Sequence, residues 1–305
     1  MDGLVSMAHL LVFPGGLFVL VNAWLYEWVD RKLLARLQNR VGPPPWQPVA
    51  DFVKLLSKSE IVPRGVPADL FHALPIVALT SGLTAALYVP WLGMKPVFGF
   101  SGDLVVTIYL LSLFSLCVGL AGAVGADSFS LVGSSRTFTQ VFSYEAPFLL
   151  ALLVPGMLGG SWRIEDILAI QAGTWLLWTQ PLAFIVALVG LAGKLERVPF
   201  DAPEAETEIV SGALTEYTGR GLALFRLGAD VEMVVGLALI GTLFLGGYAN
   251  VLDYMVKTLG LLALLTGMKA LFARLRLDQA VGLWWRYLAA LPLLQVLLMI
   301  LWKGV

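Results

Sequence analysis

This chain is nearly devoid of the residues that hold redox metals. It has one cysteine, Cys117, inside an apolar run, and two histidines, His9 and His72, in 305 residues. One thiol can neither close an internal disulfide nor carry an iron–sulfur cluster, which takes several thiolates. The two histidines fall near opposite faces of the topology derived below, so they cannot sandwich one haem. No metal site and no cofactor is therefore expected in this chain. Charge is scarce as well: charged residues make up 13 %, with a net charge of −1, against about 25 % charged in an ordinary globular domain. No basic stripe with interleaved aromatics exists, which removes nucleic acid as a partner. There is no Walker-type phosphate loop, no zinc-protease motif and no Ser-His-Asp spacing, so ATP-driven transport and hydrolysis by this chain alone are excluded.

What is present is apolar. Hydrophobic residues reach 58 % and the mean hydropathy is +0.83, which identifies an all-α polytopic membrane protein. A membrane-spanning helix needs roughly 17–25 mostly apolar residues. Eight segments qualify: 9–29, 71–92, 104–126, 141–159, 176–195, 228–248, 251–272 and 284–302. The first has no positively charged start and no small-residue cleavage site, so it is expected to stay attached. The whole chain, 1–305, reads as one transmembrane domain with two elaborate loops, 30–70 and 196–227.

Loop charge orients the bundle. The odd-numbered loops carry thirteen basic residues against two in the even-numbered loops, so the positive-inside rule predicts odd loops in the cytoplasm and both termini outside. The first loop holds Arg31, Lys32, Arg36, Arg40, Lys54, Lys58 and Arg64 and suggests a docking surface. Within it, Val49, Phe52, Val53, Leu55 and Leu56 alternate with Asp51, Lys54 and Lys58 at helical spacing. This predicts a short amphipathic helix over 46–60 lying at the membrane interface, after the stiff run Gly42-Pro43-Pro44-Pro45.

The fifth loop is rich in carboxylates: Glu196, Asp201, Glu204, Glu206, Glu208 and Glu216. Asp201 and Glu204 fit a capping-box variant that predicts a short acidic helix starting there. Glu204 and Glu208, four apart, would share a face of that helix. Two readings stand, a solvated acidic loop or a segment folded back into protein, the second suggested by the apolar, glycine-containing stretch 209–214. Glu145, Asp230 and Glu232 stand at starts of apolar segments. They read either as interfacial acids or as an internal path for ions or protons. Lys194 is a candidate internal counter-charge, and Arg136, Gln140 and Tyr144 form a polar stripe at four-residue intervals. Gly119, Gly122 and Gly125 line one helix face and read as close helix packing.

These stretches together resemble a known family: the membrane subunit, subunit 1 or H-type, that anchors the peripheral arm in respiratory complex I and in group 4 membrane-bound NiFe hydrogenases. The resemblance rests on Asp30-Arg31-Lys32, Arg40-Val41-Gly42-Pro43, the run 47–56, Ser143-Tyr144-Glu145, the run 197–208, Glu216-Tyr217-Thr218-Gly219, the run 243–247 and Arg276-Leu277-Asp278-Gln279. It implies a non-redox membrane subunit of an oxidoreductase complex in the cell (inner) membrane. Iron–sulfur clusters, and a NiFe centre in one branch, would belong to the peripheral partners, and antiporter-like membrane subunits would move H⁺ or Na⁺ beside it. The short segment Gly42-Pro43-Pro44-Pro45-Trp46-Gln47-Pro48, and Lys194 where complex I has a glutamate, resemble the hydrogenase and sulfane-reducing branch and put a bound quinone in doubt. The resemblance further implies peripheral-arm docking through Arg31, Arg36, Arg40, Asp51, Lys54 and Lys58. The proton or ion path would use Glu145, Lys194, Asp201, Glu204, Glu206, Glu208, Glu216, Asp230 and Glu232. The in-family alternative is the quinone-binding subunit of complex I; from another class, a free-standing secondary transporter with its site at the acids.

Overall fold

The computed structural model describes residues 9–303, and among these the chain is helical with no strand. The elements in order are α1 (Gly16–Leu37), α2 (Gln47–Leu56), α3 (Ala68–Ala86), α4 (Asp103–Val124), α5 (Ser128–Gly159), α6 (Ile164–Ile170), α7 (Leu176–Thr179), α8 (Pro181–Lys194), α9 (Glu206–Ile209), α10 (Gly219–Phe244), α11 (Val251–Leu271), α12 (Leu277–Leu283), a π-helical turn Trp284–Leu288, and α13 (Ala290–Lys303).

Among the described residues, seven helical stretches are long and apolar enough to cross a membrane. The fifth of the eight expected segments is the exception: its helix covers only the 14 residues Pro181–Lys194, about 21 Å at 1.5 Å per residue, against a hydrocarbon core of about 30 Å. The cause is Pro181, which has no N–H to continue a helix from α7. The exposed backbone of the break is covered from α13, where Gln295 Nε2 donates to the Thr179 carbonyl at 3.1 Å and its Oε1 accepts from Leu182 N–H at 3.4 Å.

α10 is the axis. Almost every residue from Val231 to Phe244 is buried, packed against α1, α3, α4, α8 and α11. Small residues permit this closeness: Gly228 lies against the Phe114 ring and Gly236 against Leu191. Two of the three glycines expected to line one helix face do so on α4, Gly119 against Phe138 and Gly122 against Ala213, whereas Gly125 follows the end of the helix and lies against Glu216 and Ser130.

Two helices start earlier than hydropathy predicts. α5 begins at Ser128 rather than 141, capped by Asp127 Oδ2 accepting from Phe129 N–H at 3.0 Å. Its polar first turns are held by the fifth loop, since Ser130 Oγ lies 3.2 Å from the Ala213 carbonyl. α10 begins at Gly219 rather than 228, so the loops proper are 38–67 and 195–218. Gly219 has φ +57°, and a Cβ there would come within 2.9 Å of the Lys58 carbonyl, so glycine is required where the two loops meet.

Candidate functional site

Lys194 ends α8, where a cation is favoured by the helix dipole, and its ammonium is fully enclosed. Nζ lies 3.2 Å from Glu232 Oε1 on α10, with side-chain exposures of 0 % and 1 %. It also donates to Ser115 Oγ at 3.4 Å and lies 5.9 Å from the centre of the Tyr144 ring. Tyr144 donates its hydroxyl to the same serine at 3.2 Å. Three residues along α4, Ser112 hydrogen-bonds Glu145, whose second oxygen is buried without a hydrogen-bond partner among the described residues. Glu145 is close enough to Glu232 for the two to interact electrostatically.

Glu196 joins this group two residues after Lys194. Burial, reinforced by Glu204 and Glu232, holds its carboxyl well above the usual carboxylate range, while the Thr137 hydroxyl and Lys194 oppose the shift. One ammonium thus shares this enclosure with three carboxyls: Glu232 paired with it, Glu196 interacting with both, and Glu145 interacting with Glu232.

A second charged group lies between α1 and α10. Arg197 NH1 is 3.0 Å from Asp30 and NH2 is 4.0 Å from Glu27. Asp30 also accepts from Thr266 Oγ1 at 2.6 Å and has Lys269 at 3.9 Å. Asp230 interacts with Glu27, Arg197 and Arg31 and therefore belongs here rather than with Glu232. Arg31 pairs with Glu27 and reaches Asp51 of α2 at 3.0 Å. Burial opposes ionisation of Asp51, but hydrogen bonds from Arg31 and Gln47 outweigh it and hold that carboxyl below its usual range. Arg31 and Asp51 thus fasten α2 to α1, while Arg36, Arg40, Lys54 and Lys58, all exposed, line the outer side of the same loop region. A crevice of about 30 Å³ opens between α1, α2 and α10, lined by Trp24, Glu27, Phe52 and Asp230 among others.

The remaining acids are at the rim. Asp201 does not cap a helix: it takes a two-pronged pair from Arg274, at 2.9 and 2.8 Å, and the short helix starts only at Glu206. Consequently Glu204 lies outside that helix and shares no helical face with Glu208. Glu204 and Glu208 are exposed, with Glu208 accepting from Arg136 at 2.6 Å. The backbone of Glu206 opens α9, and its side chain lies outside the described residues. Glu216 turns elsewhere, accepting from Ala126 N–H at 2.7 Å. Of the nine path candidates, then, Lys194, Glu145 and Glu232 come together at the centre, Asp230 joins the arginine group, and Asp201 and Glu208 bind rim arginines.

From the sequence, Asp30 and Arg197 enter only as part of the family resemblance and Glu196 only as one of the fifth-loop carboxylates, and none of Glu27, Asp30, Arg197, Glu196, Ser112 and Ser115 is a site candidate. A charged pair one helical turn apart at the end of an apolar segment was the available signal for Glu27 and Arg31. Serines three apart inside the most apolar helix mark a polar seam.

The sequence profile described as NADH dehydrogenase matches residues 10–300. The chain is 35 % identical over 300 residues to an H-type NADH-quinone oxidoreductase subunit of Geobacter sulfurreducens, covering 92 % of this chain and 91 % of that protein. It is also 35 % identical over 314 residues to the H-type NADH-quinone oxidoreductase subunit of Thermomicrobium roseum, covering 92 % of each. Among solved structures, a chain of the membrane-bound sulfane sulfur reductase, an archaeal respiratory membrane complex, has the same fold, with a TM-score of 0.88 at 23 % identity over 97 % of this chain and 99 % of that one. On the extent of these matches, the chain belongs to the NADH dehydrogenase subunit 1 family.

Proposed function

We propose that this chain is the membrane-anchor subunit of a redox-driven, ion-pumping respiratory complex, holding a peripheral redox arm on its basic face and relaying charge to antiporter-like neighbours. The observation that carries the reading is the enclosed Lys194–Glu232 pair with Glu145 and Glu196 beside it. Such a group is expensive to place inside a membrane and serves charge movement in general. With one cation among three carboxyls, protons balance the surplus charge, and a redox-linked change nearby redistributes them. Iron–sulfur clusters, and a NiFe centre in that branch, would reside in the peripheral partners. Arg36, Arg40, Lys54 and Lys58 suit docking on the cytoplasmic side, as the loop charges predict.

Two branches remain in view, each with its own support. The names of the curated relatives favour a complex I-type subunit. The short proline segment 42–48 and Lys194 favour the hydrogenase and sulfane-reducing type. A quinone fits poorly in the crevice between α1, α2 and α10, because about 30 Å³ is roughly room for one water rather than the several hundred Å³ of a ligand pocket. No step of the proposed mechanism passes through one.

The test is Glu145→Gln in the whole complex. The amide keeps shape and the Ser112 hydrogen bond but cannot titrate, so assembly survives and ions moved per electron fall. Normal pumping by a fully assembled variant would show Glu145 to be structural and remove the reading.

A further inference from the structure

Among the buried polar atoms around Lys194 that have no hydrogen-bond partner among the described residues are two of complementary kind: Trp284 Nε1, which can only donate, and Gln140 Oε1, which can only accept. Both side chains are essentially sealed, at 0 % and 1 % exposure. The orientation of Gln140 is forced, because its Nε2 donates to two carbonyls, Gly193 at 3.0 Å and Phe200 at 2.6 Å. Its oxygen therefore points away from them. The Trp284 ring flanks the same two residues. It packs against Phe200 with centroids 4.9 Å apart and the rings tilted by 39°, and a Cβ on Gly193 would meet Trp284 Cζ2, two bonds from the indole nitrogen, at 2.9 Å.

The tryptophan reaches this position through an unusual backbone. Residues 284–288 form a π-helix, closed by Ala289 N–H donating to the Trp284 carbonyl at 2.8 Å. The wider turn turns Trp284 fully inward while Trp285 and Tyr287 remain 55 % and 65 % exposed. π-turns inside α-helices recur at functional sites. An inward indole whose N–H finds no protein acceptor implies a non-protein one, since leaving such groups unpaired is costly. Water is the smallest species that accepts from an indole and donates to a carboxamide, and buried waters bridge such groups.

The location gives that water a task. Thr137, one turn before Gln140 on the same face of α5, stands against the Glu196 carboxyl, and Glu196 interacts electrostatically with both Lys194 and Glu232. Among the described hydrogen bonds, none joins Glu196 to Glu232, so a proton passing between them needs a bridge. We propose that Trp284 and Gln140 hold one buried water that carries protons between Glu196 and the Lys194–Glu232 pair. The step balances without a further reactant: the Glu196 carboxyl gives its proton to the water oxygen as a proton of that water passes toward Glu232. Glu196 is left as carboxylate, Glu232 becomes the acid and the water is restored. Trp284 is thus a positioning residue, and the inference rests on the functional reading above.

Trp284→Phe in the whole complex keeps an aromatic, though smaller, ring at this position and deletes the N–H. The expected result has two parts, read against Trp285→Phe as an exposed control that changes neither. Density for a water bridging Trp284 and Gln140, present in a map of the native complex that shows ordered water, disappears. Ions moved per electron at matched turnover fall roughly two- to tenfold, the range of one lost hydrogen bond. Normal pumping by Trp284→Phe while Glu145→Gln is impaired overturns the water bridge and leaves the functional reading intact; normal pumping by both overturns the two together. Impaired pumping with the density unchanged overturns it as well. Should the variant fail to assemble, the native map decides: a water there supports the proposal, and no density between the two atoms overturns it.

Discussion

Replacing Glu232 with Gln isolates the enclosed Lys194 ammonium. At 3.2 Å and an effective dielectric of about 20, the pair's attraction is about 5 kcal/mol. Removing one partner of a buried pair costs about 3–5 kcal/mol, because the other charge stays desolvated. What would remain in direct contact with Lys194 is a serine hydroxyl at 3.4 Å and an aromatic face at 5.9 Å, with Glu196 acting on it electrostatically but without an ion pair among the described residues, which together replace a contacting carboxylate only in part. Lys194→Met should cost a similar amount by stranding Glu232. The double variant Lys194→Met, Glu232→Gln removes both charges and, as buried pairs exchanged for neutral residues are often near neutral in stability, should recover most of the loss. The assay is a double-mutant cycle on the intact complex, following the assembled fraction against denaturant by native electrophoresis. A Glu232→Gln loss below about 1 kcal/mol, well under the cost of breaking a buried ion pair, would refute the pair as ionised; so would a double variant as damaged as the two singles added together.

Three further outcomes follow from the same geometry. Glu196 has a raised carboxyl pKa in the folded protein, so the stability it contributes is complete below the unfolded value of about 4.3 and is lost as pH rises through the folded one; Glu196→Gln should therefore gain stability over wild type at pH about 8 and show no gain at pH about 4. Gly133→Ala should weaken or displace the fifth loop, since the added Cβ would overlap the backbone of Gly212 and Ala213; overpacking of this kind costs about 1–3 kcal/mol, and protease sensitivity around 204–211 reports it. Single cysteines at Arg40 and Thr174, both exposed, should label from opposite faces of the membrane, with native Cys117 silent because it is buried.

What could be read from the chain beforehand divides by the range of the interactions. The amphipathic helix was legible because its period is local: Val49, Phe52, Val53 and Leu56 predict a helix within 46–60, and Gln47–Leu56 is helical. The break at Pro181 was equally local, yet hydropathy masks it, because a window over 176–195 weighs side chains and ignores the missing N–H. Lys194 could be named as an internal counter-charge, since an ammonium at the end of an apolar helix needs a partner. That the partner is Glu232, far along the chain, follows only from α8 packing on α10. Asp201 illustrates the opposite error. Its spacing to Glu204 satisfies a capping pattern, but Arg274, 73 residues away, offers two charge-assisted hydrogen bonds, each stronger than a neutral cap.

The segment 194–201 explains how a surface and an enclosed pair come to share one framework. Lys194 faces α10, Glu196 faces α5, Arg197 faces α1, Phe200 packs on Trp284, and Asp201 binds Arg274. Its path is fixed by these anchors and by the turn in which Phe200 N–H donates to the Arg197 carbonyl at 2.7 Å. From the other side, Asp51 of the surface helix α2 binds Arg31, Arg31 binds Glu27, and Glu27 lies 4.0 Å from Arg197. Contiguity of this kind is not coupling in itself; coupling requires an element with two arrangements that both ends bias. Glu27 supplies the means for two arrangements, because it stands between two guanidiniums, with Arg31 held to α2 and Arg197 close along the chain to Lys194. Were a partner on the basic face to draw Arg31 away, as the proposed function would allow, Glu27 would be left to compete with Asp30 for Arg197. On the proposed function, docking and charge relay would therefore meet at Glu27 and its two arginines, rather than at the rim carboxylates that the sequence makes conspicuous.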